Sequence, residues 1–308
     1  MIQAFPKNSV LLLLGMLISI VARCDRSNFT STFYEDIAYA NFSTTQQFDL
    51  YLPAGTGPFP VLLNIHGGGF KIGDKGMLSQ PLAKAGLNAG YAIASMNYRL
   101  SEEATFPAAL VDAKAAVIFL RANAKKYKLN PNKIAVFGQS AGGYLAAMLG
   151  TTGEVRGFAP PWLDYPTVSS RVQAVISWYG PNDLGLLDIQ AEAQGCSASK
   201  QVHNAPDSFE SLYLGAPVST VPELVQKANP ITYLSQDDPP FLIQSGDQDC
   251  IVPIENSKML ADALQAAGME VQYDLLQKVG HGDGWFTAIF EHEDNIQTLL
   301  YFLDIKLK

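Results

Sequence analysis

Nowhere in these 308 residues is there a basic cluster with interleaved aromatic residues, and the net charge of -8 leans the other way. Both argue against a nucleic-acid surface and favour neutral or weakly charged partners. Nor is there an interior break in composition of the kind that separates independent domains, so with 48% hydrophobic content the chain is expected to bury one large core. The one extended apolar run, Val10 to Val21, is too short for a comfortable membrane span. Preceded by Lys7 and followed by Ala22-Arg23-Cys24, it has the pattern of a signal peptide over residues 1–23. That predicts a secreted or periplasmic protein with no stable membrane span after cleavage, leaving 24–308 as a single folded unit. Cys24 raises the alternative of a lipid anchor, but Arg23 stands where a small residue normally precedes a lipidated cysteine. Histidine is scarce as well, with four in all, and so is cysteine, with three.

What is present reads as strands alternating with helices. Residues 27–45 are polar and aromatic with little periodicity, an extension lying on the body. Gln46 to Leu52 alternates as a half-exposed edge strand does. Buried apolar runs follow at Val61–Ile65 and Tyr91–Met96 with a helix between them. Pro107 to Lys128 has helical spacing with charges on its far side, and Lys133–Phe137 enters the next strand. Further strands are expected at Arg171–Trp178, Pro240–Ser245 and Val271–Leu276, with a helix at Ile254–Ala267 and a terminal helix that includes His292. The stretch 184–235 has no strand pattern and mixes helix-like pieces with glycine and proline, which suits an insertion partly covering a site. Such alternation predicts a mostly parallel sheet with helices on both faces, the carboxyl ends of its strands sharing one rim.

Four of the segments that end on that rim carry chemistry. Gly138-Gln139-Ser140-Ala141-Gly142 lies between a β-branched run and an Ala/Leu/Met helix, the context of a nucleophile elbow, where glycines spare the serine's cramped turn from clashes. A serine hydroxyl needs a base within reach and an acid behind that base. His281, in a Gly-His-Gly turn after the last strand, is the candidate base; His66 is better placed to brace the glycine triplet after it, and His203 lies in the insertion. For the acid, Asp249 and Asp247 compete. Asp249 is preferred because it stands farther out, whereas Asp247 directly after Gly246 suits holding the turn; Asp183 is a distant third. His66-Gly67-Gly68-Gly69 follows a buried strand, and its amides, joined by that of Ala141, can hold the oxyanion that attack on a carbonyl builds. Trp162, Trp178, Tyr179 and Trp285 are candidate pocket walls, Trp178 being the one suited to the core.

HGGGF, NYRL followed by Phe106-Pro107-Ala108, GQSAGG, GDQDCIVP and GHGDGW, in this order, resemble the α/β-hydrolase esterases of the hormone-sensitive-lipase-like kind, and most closely the bacterial bifunctional feruloyl and acetyl xylan esterases. The resemblance runs from about residue 45 to the end. It implies an α/β-hydrolase fold, Ser140, Asp249 and His281 as nucleophile, acid and base, oxyanion donors at Gly68, Gly69 and Ala141, and a chemistry that needs neither metal nor cofactor. The implied substrate is a small or oligosaccharide ester with a short or aromatic acyl group. Peptidases of the same fold usually carry a large additional domain, for which this chain has no room, and binding modules of this fold have lost the triad.

Cys196 and Cys250 remain if cleavage removes Cys24. Cys250 follows the candidate acid and Cys196 lies in the segment that must pass over the rim, so in an oxidising compartment a bond between them is expected. It would close a loop of about 55 residues and stabilise the fold by roughly 4 kcal/mol in the chain-entropy account.

Overall fold

A computed structural model describes residues 32–308 except 154, 164, 166, 197–201 and 283–289. The signal-peptide pattern, Cys24 and Trp285 lie outside the described residues. No helix among the described residues is long and apolar enough to cross a membrane.

Among the described residues eight strands form one sheet: β1 (Thr32–Ala38), β2 (Gln47–Leu52), β3 (Phe59–Ile65), β4 (Ala92–Met96), β5 (Leu129–Gln139), β6 (Ala174–Trp178), β7 (Phe241–Gly246) and β8 (Val271–Leu276). Their spatial order is β1-β2-β4-β3-β5-β6-β7-β8. β2 runs antiparallel to both β1 and β4, and every other pair is parallel. This is the α/β-hydrolase arrangement. Among the described residues eight α-helices accompany it: α1 (Gln80–Asn88), α2 (Ala108–Ala122), α3 (Ala141–Thr151), α4 (Leu187–Ala193), α5 (Phe209–Leu214), α6 (Pro222–Lys227), α7 (Ile254–Ala266) and α8 (Glu293–Leu307).

The central parallel strands are buried and largely apolar because helices cover both faces. Val61, Leu63 and Ile65 of β3 pack with residues of α2, α3 and α7, whereas Leu62 turns to the face held by α1 and α8. Each layer is closed by residues that are fully buried, among them Leu145 and Met148 of α3 and Leu299 and Leu303 of α8.

Three expectations are corrected. The polar extension contains β1, so β2 is not the edge; five of its six residues are buried, including Asp49, whose carboxylate accepts from Asp36 N at 3.0 Å and pairs with Lys75 Nζ at 2.6 Å. α2 is sandwiched rather than one-sided: Asp112 and Lys114 are buried. Asp112 is satisfied by Arg99 Nη2 at 2.7 Å and Gln46 Nε2 at 2.6 Å, and Lys114 by the carbonyl of Thr152 and by Ser170 Oγ at 3.2 Å. A buried charge is tolerated only with such partners. His292 is not inside the terminal helix but caps its N-terminus, accepting from Asp294 N.

Candidate active site

The elbow follows from local crowding. Ser140 sits between β5 and α3 at φ 54, ψ -124, a backbone conformation that costs a non-glycine residue strain and turns its side chain out onto the rim. Its amide donates to Trp178 O at 2.9 Å, which ties the turn to the end of β6. A Cβ on Gly138 would meet Gly142 O at 2.1 Å, and one on Gly142 would meet Ile65 O at 2.0 Å, so neither position has room for a side chain.

Strand ends deliver the remaining groups. Ser140 Oγ lies 2.8 Å from His281 Nε2, and His281 Nδ1 lies 2.8 Å from Asp249 Oδ2. A carboxylate is an acceptor only, so the ring's proton belongs on Nδ1, which leaves Nε2 to accept from the serine hydroxyl. Asp249 is fully buried, and its other oxygen accepts from Ile251 N at 2.9 Å and Val252 N at 2.8 Å. Asp247 is turned elsewhere: its Oδ1 accepts from Lys278 N at 2.5 Å and Val279 N at 3.2 Å, binding the end of β7 to the loop that carries His281. Asp183 accepts from Gly185 N and Asn229 Nδ2, both at 2.9 Å.

The glycine triplet lies against the nucleophile. A Cβ on Gly67 would come within 3.4 Å of Ser140 Cβ. Gly68 at φ 109 and Gly69 at φ 58 turn the chain sharply, and their N–H groups donate to nothing among the described residues. Ala141 N–H, in the first turn of α3, has no partner within the helix. The loop that touches Ser140 and the turn that follows it thus each carry N–H groups with no acceptor among the described residues. His66 braces the loop from beneath, donating from Nδ1 to Gly67 O at 2.7 Å and stacking on Tyr98 at 4.3 Å. Burial pushes its pKa down to about 4, so it stays neutral there.

A model described as BD-FAE matches residues 48–264. The chain belongs to the BD-FAE family. Its homologues are carboxylic ester hydrolases. Esterase LipQ of Mycobacterium tuberculosis is 30% identical over 72% of this chain and 50% of its own length. The chain spans about half the length of the mycobacterial esterases it matches. Among solved structures, a truncated carbohydrate esterase from gut microbiota is 28% identical with a TM-score of 0.81, over 92% of this chain and 99% of that one. A bifunctional GH43-CE protein of Bacteroides eggerthii is 30% identical with a TM-score of 0.78, over 90% of this chain and 38% of that one.

Within this BD-FAE member the candidate walls part company. Trp178 is core, wedged between Phe137 at 4.7 Å and Phe290 at 5.3 Å. Trp162 stacks on Phe42 at 4.7 Å and, with it, covers Arg99; it serves that buried ion pair. Tyr179 does reach the site, its ring edge-on to His281 at 4.8 Å and its hydroxyl donating to Gln139 Oε1 at 2.8 Å. Sequence reasoning missed Phe209, whose ring occupies the space a Cβ on Gly69 would enter, 2.0 Å away. It also missed Glu210, buried beside it, whose carboxyl burial pushes up to about 7. A helix cap at Ser208 marks α5, but nothing in the sequence announces that α5 lands on the glycine triplet.

Proposed function

We propose that this chain is an exported serine carboxylesterase that cleaves short acyl or aromatic acyl esters, acetyl or feruloyl groups of plant polysaccharides among them. The observation that carries the reading is the unbroken relay from Ser140 Oγ through His281 to buried Asp249, each link 2.8 Å long. Ser140 Oγ attacks the ester carbonyl while His281 Nε2 takes its proton, and Asp249 stabilises the imidazolium that results. Negative charge on the carbonyl oxygen is met by the amides of Gly68, Gly69 and Ala141, each worth roughly 3 to 4 kcal/mol in the transition state. Collapse of the tetrahedral intermediate expels the alcohol, which receives the proton held by His281, and leaves an acyl-serine. Water, deprotonated by the same imidazole, then releases the acid. The likeness to a carbohydrate esterase from gut microbiota supports a carbohydrate as the alcohol, and the signal-peptide pattern supports export to where such polymers are met.

The test is a panel of p-nitrophenyl acetate, methyl ferulate and acetylated xylan given to the purified protein and to Ser140→Ala. Turnover of at least one member, reduced by at least about a thousandfold in the variant, is expected. A folded wild-type protein inert on all three would sink the proposal.

A further inference from the structure

The acid loop between β7 and α7 is gripped from the insertion. Asp249's carboxylate is fixed to its own loop by the amides of Ile251 and Val252, so its position relative to His281 is set by where the whole loop sits. Just past the end of α4, two residues reach that loop. Gln194 donates from Nε2 to Asp249 O at 2.7 Å and accepts at Oε1 from Ile254 N at 2.9 Å, so one side chain spans the loop from the acid to the start of α7. Two residues on, Cys196 is bonded to Cys250, the neighbour of the acid, with Cα atoms 5.6 Å apart. The platform behind them is itself seated. Cys196 N donates to Ala191 O at 2.9 Å, and Gln190 Oε1 accepts from Asn256 Nδ2 at 2.8 Å.

We propose that Gln194 and the Cys196–Cys250 bond are positioning residues for catalysis, holding the Asp249 loop in register with His281, so that turnover depends on the disulfide being formed. The inference rests on the triad reading. A cross-link placed anywhere in the 54-residue interval would lend stability. One placed on the residue next to the acid, and paired with a glutamine that holds the acid's own carbonyl, also fixes geometry. Displacement of a catalytic group by about 1 Å can cost on the order of a hundredfold in rate. Reduction by a dithiol breaks the link: a thiolate attacks one sulfur, the mixed disulfide is displaced by the second thiol, and two electrons and two protons pass to Cys196 and Cys250 as the reagent closes to its cyclic disulfide.

The experiment measures kcat, KM and melting temperature on p-nitrophenyl acetate for the full chain made in an oxidising compartment. Gln194→Ala and the Cys196→Ser/Cys250→Ser pair are each expected to lower kcat about tenfold or more while KM stays within about twofold, at temperatures where both are folded. Dithiothreitol is expected to bring wild-type kcat down to that of the paired variant, reoxidation to restore it, and the paired variant to ignore both treatments. Placing Gln194→Ala on Asp249→Asn is expected to add almost nothing, because the group it positions is gone. Should the reduced protein unfold, the Gln194 arm still decides. Wild-type kcat in folded Gln194→Ala, or a full additive loss in the combination with Asp249→Asn, overturns the positioning role. Turnover surviving in Asp249→Asn alone overturns the triad, and the inference falls with it.

Discussion

Asp247 spends its carboxylate on two backbone amides of the β8 loop, and Asp249 spends one oxygen on His281. Removing each should therefore show in different measurements. Asp249→Asn is expected to lower kcat by at least about a thousandfold with little change in melting temperature, because the asparagine amide can offer Nδ1 a donor where an acceptor is needed. Asp247→Ala strands two amides and is expected to cost about 1 to 2 kcal/mol of stability while leaving kcat within a few-fold. The reverse pattern would exchange the two roles. A second pair separates by pH. His66 has a folded pKa of about 4 against an ordinary 6.5, because burial disfavours the imidazolium. Between those values the unfolded chain holds more protons, so stability is lost as pH falls through that window, by about 3 kcal/mol for such a shift. Glu210 has the opposite sign: burial raises it from 4.5 to about 7, the folded chain holds the extra proton, and stability is lost as pH rises from 4.5 to 7. The two offset each other across the shared range. Glu210→Gln should expose the His66 slope, which the depressed pKa of buried His203 steepens, so that the urea midpoint falls more steeply below pH 6.5 than in the wild type. Parallel midpoint profiles for variant and wild type would count against both assignments.

β1 shows what a single element contributes and why it escaped notice. Its sequence, TFYEDIA, keeps no clean alternation, and most of its side chains are exposed, so neither period nor burial marks it as a strand. It is nonetheless the cover for β2, pairing Thr32 with Leu52 and Ala38 with Gln47. A chain beginning at residue 41 would bare the edge of a strand most of whose residues are buried, and such an edge recruits other chains. That truncation is expected to shift the protein from its native size to larger species in light scattering; an unchanged size would mean β1 is dispensable. The central strands were legible because burial on both faces writes itself as Val61–Ile65 or Ile134–Phe137, and the elbow because crowding at Gly138 and Gly142 leaves one residue type. α2 was legible as a helix but not in its orientation, since Asp112 and Lys114 look like a wet face until Arg99 and Thr152 are seen beside them. The insertion was legible only as strandless. α4, α5 and α6 are six or seven residues each, too short to hold themselves, and are placed by contacts distant in the chain, such as Gln194 on Asp249 and Phe209 at Gly69. Local pattern carries no trace of those.

Across the whole molecule, the space next to the glycine triplet is already filled. Phe70, next to Gly69, stacks on Tyr213 at 3.9 Å and meets Tyr144 of α3 edge-on at 5.3 Å; Phe106 closes against Tyr213 at 5.8 Å. All four are buried, so β3's loop, α3, α5 and the segment before α2 are joined in one aromatic block next to the elbow. An open apolar trough would raise kcat/KM by up to about fourfold for each methylene that leaves water, the equivalent of about 0.8 kcal/mol. A filled one offers nothing to a long chain and penalises it. The wild-type protein is therefore expected to prefer acetyl through butanoyl esters, or a flat cinnamoyl-type group, and to lose kcat/KM steeply beyond them. Tyr213→Ala removes the ring at the centre of the block. It should cost about 3 to 5 kcal/mol in stability and move the preferred chain length upward by several carbons. A palmitoyl ester turned over faster than the butanoyl one by the wild type would show that the acyl group lies elsewhere, and an unchanged chain-length profile in a folded Tyr213→Ala would show that this block does not bound it.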